Sequence, residues 1–370
     1  MTGVIDVAVN LTWMAPGRVG GSEEYLVRQL TGIPDRSQID VTVFCQPAFV
    51  DAHPELVDRF RVVPVPFRRD RRSTRILTEH TWLAGHTRTA DVVHHGGGTA
   101  PLIGRRPIVL TVHDLQYLRY PEYFGRGRHS YLASMMPRSV RRASIVTVPS
   151  AYVRRTVVEA FGIDHDRVVV VPHGVPDLVR PADVELSAML DRHGLAGRRF
   201  VVYPAITHPH KGHRVLIDML AHLEPDIAVV LVGGAGSAEN ELQRAIAASG
   251  HPDRVVCTGR ISDVERDALI ASAAALVFPS EYEGFGAPIV EAMVLDTPVV
   301  CSAAEAVVEV AGGAAIVVPE PTAGAWADGV RQAIEQRQRL VELGRRRRLD
   351  FTLDISGSAL AEAYRRAARS

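Results

Sequence analysis

Two carboxylates and two glycines lie together in one short segment of the sequence. Glu283 and Glu291 enclose Gly284, Gly286 and Pro288. Glycine lets a backbone turn sharply near a ligand, and proline suits the first turn of a helix. The free amides and the dipole of a helix start bind anions such as a diphosphate. Because carboxylates accept hydrogen bonds from hydroxyl groups, the segment indicates a site for a diphosphate that carries a sugar.

A lysine that could balance the diphosphate lies in another loop. Lys211 follows residues 200–206, an apolar run that predicts a strand. A cation at this position could stabilise the charge that develops on a departing diphosphate. The alternative is a solvent-facing loop lysine. Two more loops of this half are expected to contribute backbone groups: Gly233 would let the chain pass close to a nucleotide, and Arg260 and Ile261 would face the base.

The first half of the sequence offers a glycine loop and a histidine. Gly20 and Gly21 precede Ser22, a residue typical of a helix N-cap. His113 and Asp114 follow the apolar run 108–112. A lone histidine is more often a structural hydrogen-bonding residue. Since this one follows a strand and adjoins an acid, we predict a direct role in the site.

Alternating strands and helices are predicted to position these loops. Apolar runs rich in Val and Ile predict strands, at residues 4–10, 41–45, 92–94, 108–112, 145–149 and 168–171, and again at 200–206, 228–232, 254–258, 275–278, 298–301 and 316–318. Uninterrupted apolar strands are typical of parallel sheets covered on both faces. The fold class is therefore α/β, with two Rossmann-like, doubly wound domains.

Domain boundaries follow from the turn-forming residues. Pro, Gly and Asp cluster near residues 176–181. We predict an N-terminal domain over residues 1–178, a second over 179–352, and a C-terminal helix over 353–370 that packs back on the first domain. Ligands of open α/β sheets bind beyond the carboxyl ends of the strands. The expected site is therefore the cleft between the domains.

Charge and cysteine content exclude several classes of protein. The 42 basic and 42 acidic residues cancel, which argues against a nucleic-acid partner. The three cysteines lie far apart, without the spacing of a zinc site. We find no signal peptide and no membrane-spanning run, and so expect a cytoplasmic protein. Arginine runs at 68–75 and 345–348 predict solvated faces. For the first run, an anionic acceptor or a lipid surface is the alternative, which leaves peripheral membrane contact open.

Two patterns that could suggest a metal are interpreted otherwise. Asp164 and Asp166 have the spacing of a divalent-cation motif, but they precede the strand at 168–171 and predict a surface turn. His94 and His95 adjoin glycines without a clear metal geometry, and could shape an acceptor pocket. We therefore expect no metal and no cofactor.

These motifs resemble glycosyltransferase family 4, the retaining enzymes with the two-domain GT-B fold. The resemblance runs from Gly20 to the terminal helix, and its most specific part lies between Glu283 and Glu291. Further similar blocks lie at 112–115, 171–175, 209–212 and 297–300. The resemblance implies metal-independent hexosyl transfer, with retention, from a nucleotide-diphosphate sugar. The acceptor would be a hydroxyl of a polysaccharide, a lipid-linked molecule or a small metabolite.

The resemblance also implies roles for single residues. His113 would contact the sugar near the reacting carbon, Lys211 would face the diphosphate, and Glu283 would hold sugar hydroxyls. Glu291 would bind the ribose. The donor-binding residues are Gly20, Gly21, His210, Gly233, Arg260, Ile261, Phe285, Gly286, Ala287, Pro288 and Glu291, and the acceptor residues are Arg18, Gly97, Asp114 and Tyr117.

The sequence departs from the family pattern at positions that affect charge. Ala205 and His210 stand where many members carry an arginine, so His210 or Arg18 is expected to share the charge on the diphosphate. Asp296 replaces a glycine, and His173 an asparagine. Alternative functions are an inactive nucleotide-sugar-binding relative and a GT-B epimerase. The donor base and sugar, the acceptor and the oligomeric state stay open.

Overall fold

A computed structural model describes residues 3–16, 21–66, 77–104, 107–178 and 183–370. The chain divides into two compact units, Met1–Pro176 with Phe351–Ser370, and Asp177–Asp350. We call them the first and the second domain. The boundaries that the sequence predicts, after residues 178 and 352, each lie two residues from this division.

The first domain is built on a seven-stranded parallel sheet with the order β3-β2-β1-β4-β5-β6-β7. Its strands are β1 (Ile5–Asn10), β2 (Ile39–Cys45), β3 (Arg61–Pro64), β4 (Val92–His95), β5 (Ile108–Thr111), β6 (Ile145–Val148) and β7 (Val168–Val170). The strand order reverses between β1 and β4, which makes their carboxyl ends the topological switch point where ligands of such sheets bind.

Helices follow most of these strands. They are α1 (Gly21–Thr31), α2 (Pro47–Ala52), α3 (Pro54–Val57), α4 (Ala84–His86, after the π-helical turn Glu79–Leu83), α5 (Gln116–Arg119), α6 (Arg126–Arg142) and α7 (Ala151–Phe161). Helix α7 shows how local sequence sets the ends. The Ser150 side chain accepts a hydrogen bond from the Val153 amide, and Gly162 ends the helix in a left-handed conformation.

The C-terminal helix Leu353–Ala368 packs on the first domain. Gly357 lies so close to Gly32 that a Cβ atom would overlap the Gly32 backbone. The Tyr364 hydroxyl is 2.8 Å from Nδ1 of buried His94, and Nε2 of His94 is 2.8 Å from Oγ1 of Thr111. Polar contacts as well as apolar packing therefore hold this helix on the sheet.

The second domain repeats the topology with six parallel strands in the order β10-β9-β8-β11-β12-β13. The strands are β8 (Arg199–Pro204), β9 (Ile227–Val232), β10 (Val255–Gly259), β11 (Ala275–Phe278), β12 (Val299–Ser302) and β13 (Ile316–Val318). The helices are α8 (Asp183–Arg192), α9 (His213–Asp218), α10 (Glu239–Ala248), α11 (Asp263–Ser272), α12 (Ala287–Val294), α13 (Glu305–Ala311), α14 (Ala323–Glu335) and α15 (Arg337–Arg347). The switch point lies between β8 and β11.

The predicted fold class, two Rossmann-like α/β domains, is confirmed. The predicted strands coincide with observed ones to within two residues at either end. Strand β3 was not predicted. It has two valines between Arg61 and Pro64 and lies at the edge of the sheet, partly exposed. An apolar run this short carries too little pattern to indicate a strand.

The arginine run at 345–348 is an ion-paired helix end. Arg345 binds the Asp296 carboxylate with bonds of 2.8 and 2.7 Å, and the three arginines that follow pair with Glu342, Asp350 and Asp177. Asp296 has a φ of +58°, a left-handed conformation that glycine adopts more readily. The run at 68–75 lies outside the described residues. Within the described ranges, no helix has the length and apolarity needed to cross a bilayer.

Candidate functional site

Lys211 and Glu283 meet at the switch point of the second sheet. Lys211 ends a short 3-10 helix after β8, and Glu283 lies in the loop after β11. The Lys211 Nζ atom is 2.6 Å from Oε1 of Glu283. The two side chains keep 20% and 14% of their surface exposed, so a ligand could reach them. The structure thus brings together two of the three residues predicted to be catalytic.

Lys211 is the only lysine in the 370 residues, since every other Lys or Arg position is an arginine. A lysine ammonium is a compact point charge with three donors, whereas a guanidinium is a wide planar fork. The one compact cation of the chain is therefore found at the position that contacts Glu283. Residue counting could have given this signal from the sequence.

The Tyr203 hydroxyl contacts both the loop that carries Lys211 and the loop that carries Glu283. No motif in the sequence marks Tyr203 as a site residue. Tyr203 of β8 is fully buried, and its hydroxyl donates to the Lys211 carbonyl at 2.9 Å and lies 2.9 Å from Oγ of Ser280. Burial first, and then the charge of Glu283, raise the pKa of Tyr203 well above its usual range. Tyr203 therefore stays neutral and fixes the backbone positions of both loops.

Close backbone contact also brings the Lys211 loop to the β11 loop. Gly212 has a φ of +67°, and a Cβ atom there would lie 2.6 Å from the Pro279 carbonyl oxygen. The Glu281 amide donates to the His210 carbonyl at 2.8 Å. Only glycine fits at position 212, because any side chain would push the two loops apart.

The start of α12 lies next to Glu283. Gly286 is the N-cap with a φ of +99°, and Pro288 lies in the first turn. The first turn of a helix leaves backbone amides without partners inside the helix, which makes it suited to an anion. Phe285 is buried before it, and Glu291 is buried one turn further on. The structure therefore has the predicted order of features: the loop with Glu283, the start of α12, and then Glu291.

His210 is neutral at neutral pH. Burial, and then the charge of neighbouring Lys211, lower its pKa to about 4. Its ring stacks on that of His208 with the centroids 5.9 Å apart. The predicted positive charge at this position therefore requires that His210 take up a proton when an anion binds.

The remaining donor-side residues follow the neighbouring strands. The Gly233 amide, after β9, donates to the carbonyl of Gly259, the last residue of β10, at 3.0 Å. Arg260 and Ile261 come directly after β10, and the Arg260 guanidinium lies near Gly234. These predicted residues thus lie at the same edge of the sheet as Lys211.

In the first domain, His113 follows β5. Its Nε2 lies 2.8 Å from the Gly96 carbonyl oxygen, so this nitrogen carries the hydrogen and donates it. Burial lowers the pKa of His113. The neutral ring then has its lone pair on Nδ1, which can accept a hydrogen bond.

Aromatic rings surround His113. The Tyr25 ring is 5.4 Å from it in an edge-on arrangement and stacks on His173 at 4.2 Å. The Tyr25 hydroxyl is held by the Val171 carbonyl at 2.5 Å. The Trp13 ring lies 6.1 Å from His113. Tyr25 and Trp13 are not recognisable as neighbours of His113 from the sequence, because they lie 88 and 100 residues from it.

At the switch point of the first sheet, Asn10 and His95 are neutral, and Oγ1 of Thr12 lies 3.3 Å from the buried Glu79 carboxylate. The Asn10 side-chain amide is 3.1 Å from Nδ1 of His95, at the ends of β1 and β4. Burial lowers the pKa values of His94 and His95 to about 3. His94 contacts Tyr364 and Thr111 as described above, so it is a structural residue of the core.

The predicted acceptor residues are placed as follows. A Cβ atom at Gly97 would lie only 2.9 Å from the Trp13 ring. Asp114 accepts a hydrogen bond from the Gln116 amide at 2.8 Å. Tyr117 is buried, which raises its pKa to about 12. Gly21 begins α1, whereas Gly20 and Arg18 lie outside the described residues.

The acid pair that resembles a cation motif forms a turn. The Asp164 carboxylate accepts a hydrogen bond from the Asp166 amide at 2.9 Å, immediately before β7. Over the described ranges, no group of three or more His, Cys, Asp or Glu side chains could hold a metal ion.

Comparison with protein families identifies the chain. The family model of glycosyl transferases group 1 matches residues 191–350, and that of Glycosyltransferase Family 4 matches residues 19–177. The chain belongs to glycosyltransferase family 4. The two models together cover both Rossmann-like domains, and the residues they match include Lys211, Glu283 and His113.

Characterised relatives of this glycosyltransferase differ in what they transfer. O-antigen chain mannosyltransferase B of Escherichia coli is 25% identical over 293 residues, which are 78% of this chain and 73% of that protein. The 2-deoxystreptamine N-acetyl-D-glucosaminyltransferase of Streptomyces fradiae is 28% identical over 315 residues, 76% of this chain and 74% of its own. The sugar and the acceptor thus vary among relatives of similar identity.

Solved structures show the same fold. Anabaena Alr3699/HepE, in complex with UDP and glucose, has a TM-score of 0.76 and 23% identity, and the match covers 97% of this chain and 98% of that one. The glycosyltransferase therefore has the GT-B fold that the resemblance implied.

Proposed function

We propose that this glycosyltransferase moves a sugar from a nucleotide-diphosphate sugar to an acceptor hydroxyl and retains the anomeric configuration. The observation that carries the proposal is the 2.6 Å Lys211–Glu283 pair beside the start of α12. It combines a cation, a carboxylate and the positive end of a helix dipole at the position where open α/β sheets bind ligands.

The pair explains how a donor would be held. In the structure, Lys211 and Glu283 neutralise each other. An arriving diphosphate would become the partner of Lys211 and of the α12 amides, and Glu283 would then be free to accept hydrogen bonds from sugar hydroxyls. UDP and glucose in the structure of Alr3699/HepE agree with a donor of this class.

The reaction forms one C–O bond and breaks another. The bond from the anomeric carbon to the diphosphate breaks, and the electron pair stays on the diphosphate, where Lys211 and the amides stabilise it. The acceptor oxygen attacks from the same face, which retains the configuration, and its proton goes to the departing phosphate oxygen. Because Lys211 and the amides carry the charge, we propose that no divalent cation is needed.

The first domain would contribute His113 and the acceptor side. The Gly96 carbonyl holds Nε2–H, so Nδ1 is the atom that could accept a hydrogen bond from a substrate hydroxyl. The names of the two relatives point to different acceptors, an O-antigen chain and 2-deoxystreptamine. We therefore propose the acceptor only as a hydroxyl compound.

The single lysine permits a direct test of donor binding. Reductive methylation with ¹³C-formaldehyde keeps the charge of Lys211 and labels it, together with the amino terminus. We expect one NMR signal to shift with nucleoside diphosphates, with or without EDTA, and to disappear in Lys211→Arg. If no nucleotide moves this signal while the protein still transfers sugar, Lys211 does not bind the donor.

Configuration and metal dependence need an activity assay. With an active donor and acceptor pair, we expect NMR of the first product to show the anomeric configuration of the donor, and EDTA to leave the rate unchanged. Glu283→Gln should lower turnover strongly, whereas the neighbouring exposed Glu281→Gln should not. An inverted product would overturn the proposed mechanism.

A further inference from the structure

One stretch of the first domain carries a large local excess of positive charge. Residues 116–155 contain eight arginines and one acidic residue, Glu122, although charges cancel over the whole chain. All of this stretch is described, and it includes α5, α6, strand β6 and the first part of α7. A local excess of this size needs a partner of opposite charge or exposure to solvent.

Most of these arginines have no acidic partner. Within the described part of the chain, no ion pair forms at six of them, which are Arg119, Arg126, Arg128, Arg138, Arg141 and Arg154. In the second domain, by contrast, every member of the run at 345–348 pairs with a carboxylate. The charge of the first-domain stretch is therefore available to a ligand.

Helix α6 presents three of these arginines on one face. At 100° per residue, Arg126, Arg138 and Arg141 fall within an arc of about 120°. All three are exposed. The helix has 17 residues and so extends for about 25 Å, which is longer than a small-molecule site.

Exposed apolar side chains lie at both ends of α6. At its C-terminal end, Arg142 donates to the Gly104 carbonyl at 2.7 Å and so fixes the loop that carries Leu102 and Ile103. These are 52% and 73% exposed, and Ile103 is the most exposed large apolar side chain of the described residues. At the other end, α5 and the turn after it carry exposed Leu118 and Tyr123.

We propose that α5, α6 and the loop 100–104, the basic–apolar face, dock on an anionic lipid bilayer. Arginines attract the negative headgroups, and projecting Leu and Ile side chains enter the boundary between headgroups and acyl chains. Nucleic acid would use the same charges, but the two most projecting side chains of the loop, Leu102 and Ile103, are aliphatic and offer no surface on which bases stack. The combination of free cations and projecting aliphatic residues therefore favours lipid.

Docking would place the chemistry close to the lipid. Helix α5 begins three residues after His113. If the proposed function holds, a hydroxyl on a lipid-linked acceptor could then reach the first domain without leaving the bilayer. The docking itself does not rest on the proposed function, because it can be measured without donor or acceptor.

Vesicle flotation with the full chain tests the proposal. We expect binding to phosphatidylcholine vesicles that contain phosphatidylglycerol, no binding to phosphatidylcholine alone, and weaker binding as salt rises. Each arginine near an anionic surface contributes about fivefold to binding. The triple variant R126E/R138E/R141E should therefore bind at least about a hundredfold more weakly, and Ile103→Ser should also weaken binding.

The chain offers a matched control. Arg36, Arg61 and Arg88 are exposed arginines of the same domain outside the face. The variant R36E/R61E/R88E changes net charge equally and should bind vesicles nearly as the wild type does. The midpoints of urea unfolding should be alike in all variants, which shows that they are folded.

Two results would overturn the docking proposal: no binding to anionic vesicles, and equal losses of vesicle binding in the two triple variants. If vesicles do not bind but a single-stranded RNA does, and R126E/R138E/R141E loses the RNA, the face binds nucleic acid instead. None of them would affect the proposed sugar transfer, which is measured separately with soluble substrates.

Discussion

The two sheets share a topology, and their switch points differ in charge. Where β8 and β11 end, Lys211 and Glu283 form an ion pair that solvent can reach. Where β1 and β4 end, Asn10 and His95 form a buried, neutral hydrogen bond. His113, which follows the neighbouring strand β5, is also kept neutral by burial.

This difference corresponds to the two halves of the proposed reaction. A leaving diphosphate gains negative charge, so its domain needs a cation and helix amides. An acceptor hydroxyl is neutral, so the first domain needs hydrogen-bonding groups in a fixed orientation. One topology thus supports two kinds of site because chemistry lies in the loops, and the sheet only positions them.

The largest effect is expected at the charged switch point. Lys211→Met should lower kcat/KM by about 10²- to 10³-fold, because it removes the cation that stabilises the leaving group. Lys211→Arg should also stay well below the wild type, since a guanidinium does not replace a compact ammonium. Steady-state kinetics would measure both.

Arg214→Met is the control for this prediction. Arg214 lies three residues from Lys211 and pairs with Asp218 on the exposed surface of α9, so kcat/KM should be unchanged. If Lys211→Met turns over substrate as fast as the wild type, the Lys211 charge does not stabilise the leaving group.

The neutral switch point should be sensitive to acid. Burial first, and then the charges of Arg142 and His80, lower the pKa of His95 from 6.5 to about 3. The unfolded chain therefore binds a proton that the folded chain does not. The stability that His95 contributes is complete above pH 6.5 and is lost as the pH falls towards 3.

Urea unfolding at several pH values would measure this effect. His95→Gln should reduce the slope of unfolding free energy against pH by up to about 1.4 kcal/mol per pH unit between these pKa values. If His95→Gln leaves the slope unaltered, burial does not lower the pKa of His95 in the folded protein.

The smallest expected effects come from a matched pair of buried tyrosines. The Tyr203 hydroxyl holds the Lys211 backbone, and the Tyr364 hydroxyl contacts His94. Either Tyr→Phe change should cost about 1–2 kcal/mol of unfolding free energy, because it leaves a buried polar group without a partner. Only Tyr203→Phe should also lower kcat/KM. If both variants, or neither, change kcat/KM, the distinction between the two switch points is wrong.

The order of strands and helices could be predicted, because each is marked by residues that are neighbours in the sequence. Val-rich runs gave most strands, and Ser150 and Gly162 mark the ends of α7. The edge strand β3 was missed because two valines carry too little pattern. The loop from Glu283 to Glu291 was recognisable since its glycines, proline and acids are neighbours in sequence.

Contacts within the site could not be predicted in the same way. Lys211 and Glu283 are 72 residues apart, and the bond between them depends on β8 lying beside β11. The roles of Tyr203 and Tyr25 likewise depend on which loops they hold together. The roles assigned to single site residues stay predictions until the experiments above are done.

The sequence alone determined the α/β class, the position of the chemistry-bearing loops and the family resemblance, because these depend on short-range periodicity and on motifs of neighbouring residues. Tertiary structure decided which charges are paired, which histidines are neutral and which arginines are left without partners. Those properties depend on burial and on distances between residues far apart in the chain, where desolvation and charge separation set the free energy.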